Sequence, residues 1–249
     1  MDTDPLTLVL LAGVALVAGT VDGIAGGGGL LTLPALLAAG LDPHAALATN
    51  KGQSSFGSAA SLLRFARSPL LDRRRAIPGA LAGGVAAACG TITVLMVPSG
   101  PLRAAVLIAL AVAAVLVALR RDLPEATPIA RPTWLGVLVA AAIGFYDGFF
   151  GPGTGTFLIV VYAWVWRDGL ASASANAKAV NFASNIGALA VFAALGAVEW
   201  RIALCMAAGQ AVGGWLGAHL VVRRGVALVR WVAVAACLAM VARLGWQLA

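Results

Sequence analysis

Eight apolar stretches, at about 5–39, 44–66, 76–97, 101–119, 133–165, 171–196, 201–222 and 226–248, take up nearly all of this 249-residue chain. A helix that crosses a bilayer needs roughly 20 residues, and most of the stretches reach that length. Only 11% of the residues are charged, against 61% apolar. A soluble domain carries about 25% charged residues and uses them to cover its outer shell. Water-soluble folds and disorder are therefore excluded, and an all-α polytopic membrane protein is expected. The first stretch follows Asp2 and Asp4 with no lysine or arginine, whereas a cleavable signal opens on a cationic segment. It is expected to stay in the fold.

The first and fifth stretches are longer than one span and are cut by glycine clusters, while the second and sixth are unusually polar. Irregular backbone at membrane depth persists only where protein or a water-filled cavity covers it. These oddities recur at corresponding places in two halves. Gly19-Thr20-Val21-Asp22-Gly23-Ile24-Ala25-Gly26-Gly27-Gly28 aligns with Gly144-Phe145-Tyr146-Asp147-Gly148-Phe149-Phe150-Gly151-Pro152-Gly153 as GxxDGxxGxG, at an offset of 125. At an offset of 127, Lys51 meets Lys178, and these are the two lysines of the chain. An internal duplication follows. The expected organisation is a first transmembrane repeat at 1–119, a polar proline-containing linker at 120–132 and a second repeat at 133–249, with about four helices per repeat and glycine-broken helices in each.

The net charge of +7 comes from arginines at the edges of apolar runs. Such residues set orientation and meet anionic headgroups, so the basic balance is read as topology and no nucleic-acid partner is expected. With eight crossings, ten arginines fall on one side (Arg64, Arg67, Arg73, Arg74, Arg75, Arg120, Arg121, Arg131, Arg201 and Arg243) and five on the other. The positive-inside rule then places both termini in the cytoplasm. Re-entrant long stretches would change that count. Cys89, Cys205 and Cys237 sit singly inside apolar runs and read as small packing residues. Gly79 and Gly83, and Gly209, Gly213 and Gly217, are spaced for close helix packing.

Asp22, Lys51, Asp147, Lys178 and His219 lie inside apolar stretches. Each is costly against lipid and should face protein or water. On a helix, Lys51, Ser54, Ser55 and Ser58 share one face, as do Lys178, Asn181 and Asn185. Thr49, Asn50, Gln53 and Asn176 add donors nearby. One cation with neutral hydrogen-bonding groups suits an anion. The clusters around Gly26, Gly27 and Gly28, and around Gly151, Gly153 and Thr154, can turn amides to a common point and start half-helices whose positive ends face the membrane centre. Corresponding broken helices point to a transporter binding site. Asp22 and Asp147 either pair with the lysines as a structural latch or carry a coupling proton.

These residues resemble the TauE/SafE family of sulfite and organosulfonate exporters. The resemblance rests on Asp22-Gly23 through Gly29 with Pro34, on Ala48-Thr49-Asn50-Lys51, on Tyr146 through Gly155, and on Asn176-Ala177-Lys178-Ala179-Val180-Asn181-Phe182-Ala183-Ser184-Asn185. Gly52 departs from the pattern, where a larger apolar residue is expected. The resemblance implies a multi-pass plasma-membrane transporter of sulfur-containing or related small anions. No HExxH, GxSxG or paired catalytic carboxylates occur, so neither an enzyme nor a cofactor nor a metal site is expected. The other readings are an anion channel with a lysine-lined pore and a structural membrane subunit.

Overall fold

The computed structural model describes residues 4–118 and 126–224, and builds them as nine helices with no strand among the described residues. These are α1 (Pro5–Ala25), α2 (Gly29–Ala38), α3 (Pro43–Ala66), α4 (Arg73–Leu95), α5 (Ser99–Ala118), α6 (Thr133–Phe149), α7 (Thr154–Val165), α8 (Leu170–Ala194) and α9 (Trp200–Arg224). The all-α expectation holds. Both long stretches break at their glycines: α1 gives way to α2 through Gly26 and Gly27 at φ 75° and 88°, and α6 to α7 through Gly151 and Gly153 at φ 90° and 84°. That left-handed region suits glycine, which has no Cβ to clash. Elsewhere the boundaries follow capping chemistry. The Asp42 carboxylate accepts the His44 and Ala45 amides with Pro43 in the first turn, and Asp72 accepts the Arg74 amide. The stretch 226–248, with Cys237, Arg230 and Arg243, lies outside the described residues, as do Arg120 and Arg121.

Helices α1, α4, α8 and α9 are long and apolar enough to cross a bilayer. Outward faces carry exposed Leu6, Val9, Leu81, Val85, Trp134 and Leu138, as lipid contact requires. Cys89 is exposed as well, and Cys205 is half-buried with its thiol directed at the Leu8 carbonyl. Cys89 is therefore not a packing residue, contrary to expectation.

Residue contacts fix the helix directions. Along α1 and α9, Ala12 meets Gly209, Leu16 meets Gly213 and Thr20 meets Gly217, so the two run parallel. Along α3 and α9, Thr49 meets Glu199, Gly57 meets Gln210, Ser61 meets Gly214 and Arg64 meets His219. Helix α3 thus joins the same set. In the opposite sense run α4, α6 and α8, matched through Gly83 with Gly144, Ala87 with Gly148, Asp72 with Asn176 and Gly84 with Gly187. Corresponding elements of the halves, α1 and α6, α3 and α8, α4 and α9, therefore point in opposite directions. Small interface details follow the same exchange. Thr49 on α3 accepts the Glu199 amide at the entry to α9, and Asn176 on α8 accepts the Asp72 amide at the entry to α4.

Helix α3 starts where α4 ends, since His44 bonds Ser99 Oγ and the Val94 carbonyl. Helix α2 must therefore run from the glycine break inside the bundle back to the face where α1 began. We call this the N-terminal face. Helix α7 likewise returns to the face where α6 began, where Ile129 N–H donates to the Trp166 carbonyl. Each long stretch turns back instead of crossing once, which overturns the eight-crossing count and its sorting of arginines. Among the described residues, Arg64, Arg67, Arg73, Arg74, Arg75, Arg131, Arg167 and Arg223 lie toward the face where α4 begins, the arginine-rich face. Arg103 and Arg201 lie toward the N-terminal face.

The small-residue stripes do pack helices. A Cβ on Gly209, Gly213 or Gly217 would overlap carbonyl oxygens of Ala12, Leu16 or Thr20, and one on Gly144 or Gly148 would overlap Gly83 or Ala87 backbone. Gly52, the departure noted in the sequence, is accommodated against Ala203 and Val198. Overfilling such contacts costs about 1–3 kcal/mol. Gly213→Ala is accordingly expected to lower the thermal unfolding temperature in detergent. Gly13→Ala on α1, where nothing lies within 4 Å, is expected to leave it unchanged or raise it, because Ala favours helix by about 1 kcal/mol.

Candidate functional site

Both half-breaks lie one turn beyond an aspartate. Asp22 occupies the last turn of α1 and Asp147 the last turn of α6. The lysines come from the polar helices of the opposite halves. Lys51 on α3 pairs with Asp147 at 2.7 Å, and Lys178 on α8 pairs with Asp22 at 2.8 Å. Each lysine is thus claimed by the other half's carboxylate. Three of the four side chains are 2% exposed and Asp22 is 12% exposed, so these charges sit where only paired ions are tolerated.

The two pairs differ in support. Asp147 also accepts Thr154 Oγ1 at 2.8 Å and Ser184 Oγ at 2.5 Å, while Lys51 donates to Asn185 Oδ1 at 3.2 Å. The Asp22 carboxylate receives Lys178 and, at 3.4 Å, the Gly28 amide. Lys178 is additionally held by the Asp22 backbone carbonyl at 2.8 Å.

The breaks themselves touch. A Cβ on Gly26 would overlap the Gly155 carbonyl carbon and the Thr156 amide, and Thr156 Oγ1 donates to the Ala25 carbonyl at 3.0 Å. At this crossing lies a polar cavity lined by Asp22, Gly27, Gly29, Asn50, Lys51, Ser54, Asp147, Gly151, Gly153, Thr154, Gly155, Asn181 and Asn185. The starts of α2 and α7 form part of its wall, so the positive ends of two half-helices face it. Its volume is about 20 Å³, close to the ~10–15 Å³ that one water occupies.

Most of the expected residues therefore meet at one place. Lys51, Asn50, Ser54, Asn181, Asn185, Gly27, Gly151, Gly153, Thr154, Asp22 and Asp147 line the cavity. Lys178 stands behind Asp22, and Gly26 and Gly28 support the crossing of the breaks. Ser58 spends its hydroxyl on the Ser54 and Ser55 carbonyls and accepts Asn185 at 3.4 Å, away from the cavity wall. Thr49 and Asn176 serve the entries of α9 and α4 instead of the site. His219 accepts Arg64 Nε and stacks on Trp215, in keeping with a packing role. Two contributors escaped the sequence reading. Ser184 lies one turn after Asn181, a detectable spacing, yet its carboxylate partner is visible only once α6 and α8 pack. Thr32 holds Asn50 Oδ1 at 2.5 Å and has no signal in the apolar run of α2.

A second, larger cavity of about 510 Å³ opens at the arginine-rich face, lined by residues including Arg74, Arg75, Arg131, Trp166 and Asp168. Arg75 pairs with Asp168 at 2.6 Å and lies over the Tyr162 and Trp166 rings.

Residues 11–244 match the family described as Sulfite exporter TauE/SafE. Three relatives carry similar names. The chain is 35% identical over 239 residues to "Probable membrane transporter protein ORF9" of a Sinorhizobium species, covering 95% of this chain and 92% of the relative. It is 38% identical over 231 residues to "Probable membrane transporter protein YfcA" of Escherichia coli K12, covering 91% and 85%. A "Probable membrane transporter protein" of Haemophilus influenzae is 33% identical over 252 residues, covering 99% of each. No solved structure matches the chain.

Proposed function

Because the chain belongs to the TauE/SafE family of membrane transporters, we propose that it carries a small sulfur oxyanion or organosulfonate, of the sulfite or sulfoacetate kind, across the plasma membrane. The supporting observation is the cavity where two lysine–aspartate pairs, exchanged between the halves, meet the positive ends of α2 and α7. An entering anion competes with a carboxylate for Lys51, while Asn50, Ser54, Asn181 and Asn185 offer donors to its oxygens. A carboxylate left without its cation in a buried site is better neutral. Anion binding therefore draws a proton onto the aspartate, and anion and proton travel together.

A carrier is favoured over a pore. The cavity holds about one water, so an oxyanion enters only when the ion pairs rearrange. The antiparallel correspondence of the halves supports two inverted repeats at 1–119 and 133–249, joined by the linker at 120–132, around a midplane site. With the arginine-rich face inside, Pro5 lies outside the cytoplasm, and the larger cavity with Arg74 and Arg131 becomes the cytoplasmic approach for anions.

Counterflow in proteoliposomes tests this reading. Preloaded unlabelled sulfite or sulfoacetate is expected to accelerate uptake of the labelled anion, as exchange through a carrier does. Uptake unaffected by preloading would instead indicate the channel. For a sulfonate, whose own charge is constant over the range, affinity is expected to rise as pH falls, and Asp147→Asn, which removes the carboxylate paired with Lys51, is expected to flatten that dependence.

A further inference from the structure

The two ion pairs do not sit at the same depth. Lys51 lies eight residues past the start of α3 at the N-terminal face, and Lys178 eight residues past the start of α8 at the arginine-rich face. At 1.5 Å rise per residue, each is about 12 Å in from its own face. Their partners agree, since Asp22 and Asp147 lie at the inner ends of helices that enter from the opposite faces. The cavity lies between the pairs. Resting on the carrier reading, we infer that the two pairs are the two gates of the transport cycle: Lys51–Asp147 closes the cavity toward the N-terminal face, and Lys178–Asp22 closes it toward the arginine-rich face.

Every gate joins the two halves, so relative movement of the halves parts one pair while the other can remain closed. The gates are unequal. Asp147 is held by Thr154 and Ser184 as well as by its lysine. The carboxylate of Asp22 has the lysine and one long amide contact, and it is the most exposed of the four. The gate toward the arginine-rich face is thus the weaker, and the unloaded protein opens more often to that side.

The test is the sidedness of access to Ser54, a cavity residue. Ser54→Cys serves as the sole cysteine, with Cys89, Cys205 and Cys237 replaced by alanine. It is labelled with a membrane-impermeant maleimide in right-side-out and inside-out vesicles. With the gates otherwise intact, labelling is expected to be faster from the arginine-rich face. The neutralised pair Lys51→Met with Asp147→Asn should raise labelling from the N-terminal face by about tenfold, a modest population shift. Lys178→Met with Asp22→Asn should raise it from the arginine-rich face. Both variants shifting toward one face, or neither shifting, overturns the assignment. Should a neutralised pair fail to assemble, Ser184→Ala loosens the Asp147 gate with its charges kept. It should shift labelling toward the N-terminal face, and a shift the other way or none overturns the gate. Labelling needs no substrate. Absence of counterflow in the unsubstituted protein together with the expected sidedness of labelling would therefore count against the proposed cargo, and wrong sidedness of labelling with counterflow present in the unsubstituted protein against the gates.

Discussion

Lys51→Met and Lys178→Met are each expected to abolish anion-dependent thermal stabilisation and transport, and to weaken the fold itself. Each leaves one buried carboxylate, Asp147 or Asp22, without the cation 2.7 or 2.8 Å away. Breaking a buried pair from one side typically costs about 3–5 kcal/mol. Removing the remaining charge should repair that loss. Lys51→Met with Asp147→Asn, and Lys178→Met with Asp22→Asn, are expected to unfold near the wild-type temperature in detergent while remaining unable to transport. The exchanged combinations, Lys51→Met with Asp22→Asn and Lys178→Met with Asp147→Asn, should gain nothing, because the pairs run between halves. A double variant that recovered both folding and transport would reduce the lysines to a structural latch.

The second large effect is expected at the crossing of the helix breaks. Gly26→Ala puts a methyl into the backbone of Gly155 and Thr156 at a position with φ 75°, combining a conformational penalty with a clash that no rotamer relieves. A loss of about 3 kcal/mol or more follows, read as reduced yield of folded protein and a lower unfolding temperature. Gly196→Ala also carries positive φ, at 66°, but has nothing within 4 Å. It should cost only the conformational part, about 1 kcal/mol. The difference between the two isolates the contact between the breaks from the strain of the turn.

Much of this arrangement is legible in the sequence because membrane burial makes polar residues expensive. Two lysines, two aspartates and their Ser and Asn neighbours stand out of apolar runs, and glycines mark both breaks. The element boundaries follow for the same reason. What could not be read is direction. A run such as 5–39 has the composition of a long crossing whether the chain continues or doubles back, and hydropathy is blind to that choice. The arginine sorting failed with it, placing Arg64 and Arg201 together although Arg64 meets His219, near the end of α9 opposite Arg201. Pairing was equally hidden. Nothing in the spacing says that Lys51 belongs to Asp147 and not to Asp22, nor that Thr49 and Asn176 leave the site to hold the entries of other helices. Those are consequences of packing between distant segments, which local pattern does not encode.

The exchange of helices between halves has a consequence for how the protein is made. Helix α1 packs its small-residue face on α9, and α4 packs on α6. Neither half can complete its own interior. At synthesis rates of about 5–20 residues per second, α9 reaches the membrane roughly ten to forty seconds after α1. Throughout that interval the Gly19 and Gly23 surface of α1 faces lipid or a chaperone, and Asp22 waits for Lys178. Assembly is therefore timed by the last described helix, and a ribosome that stalls after the linker leaves a first half whose Asp22 lacks Lys178, its partner in the finished protein.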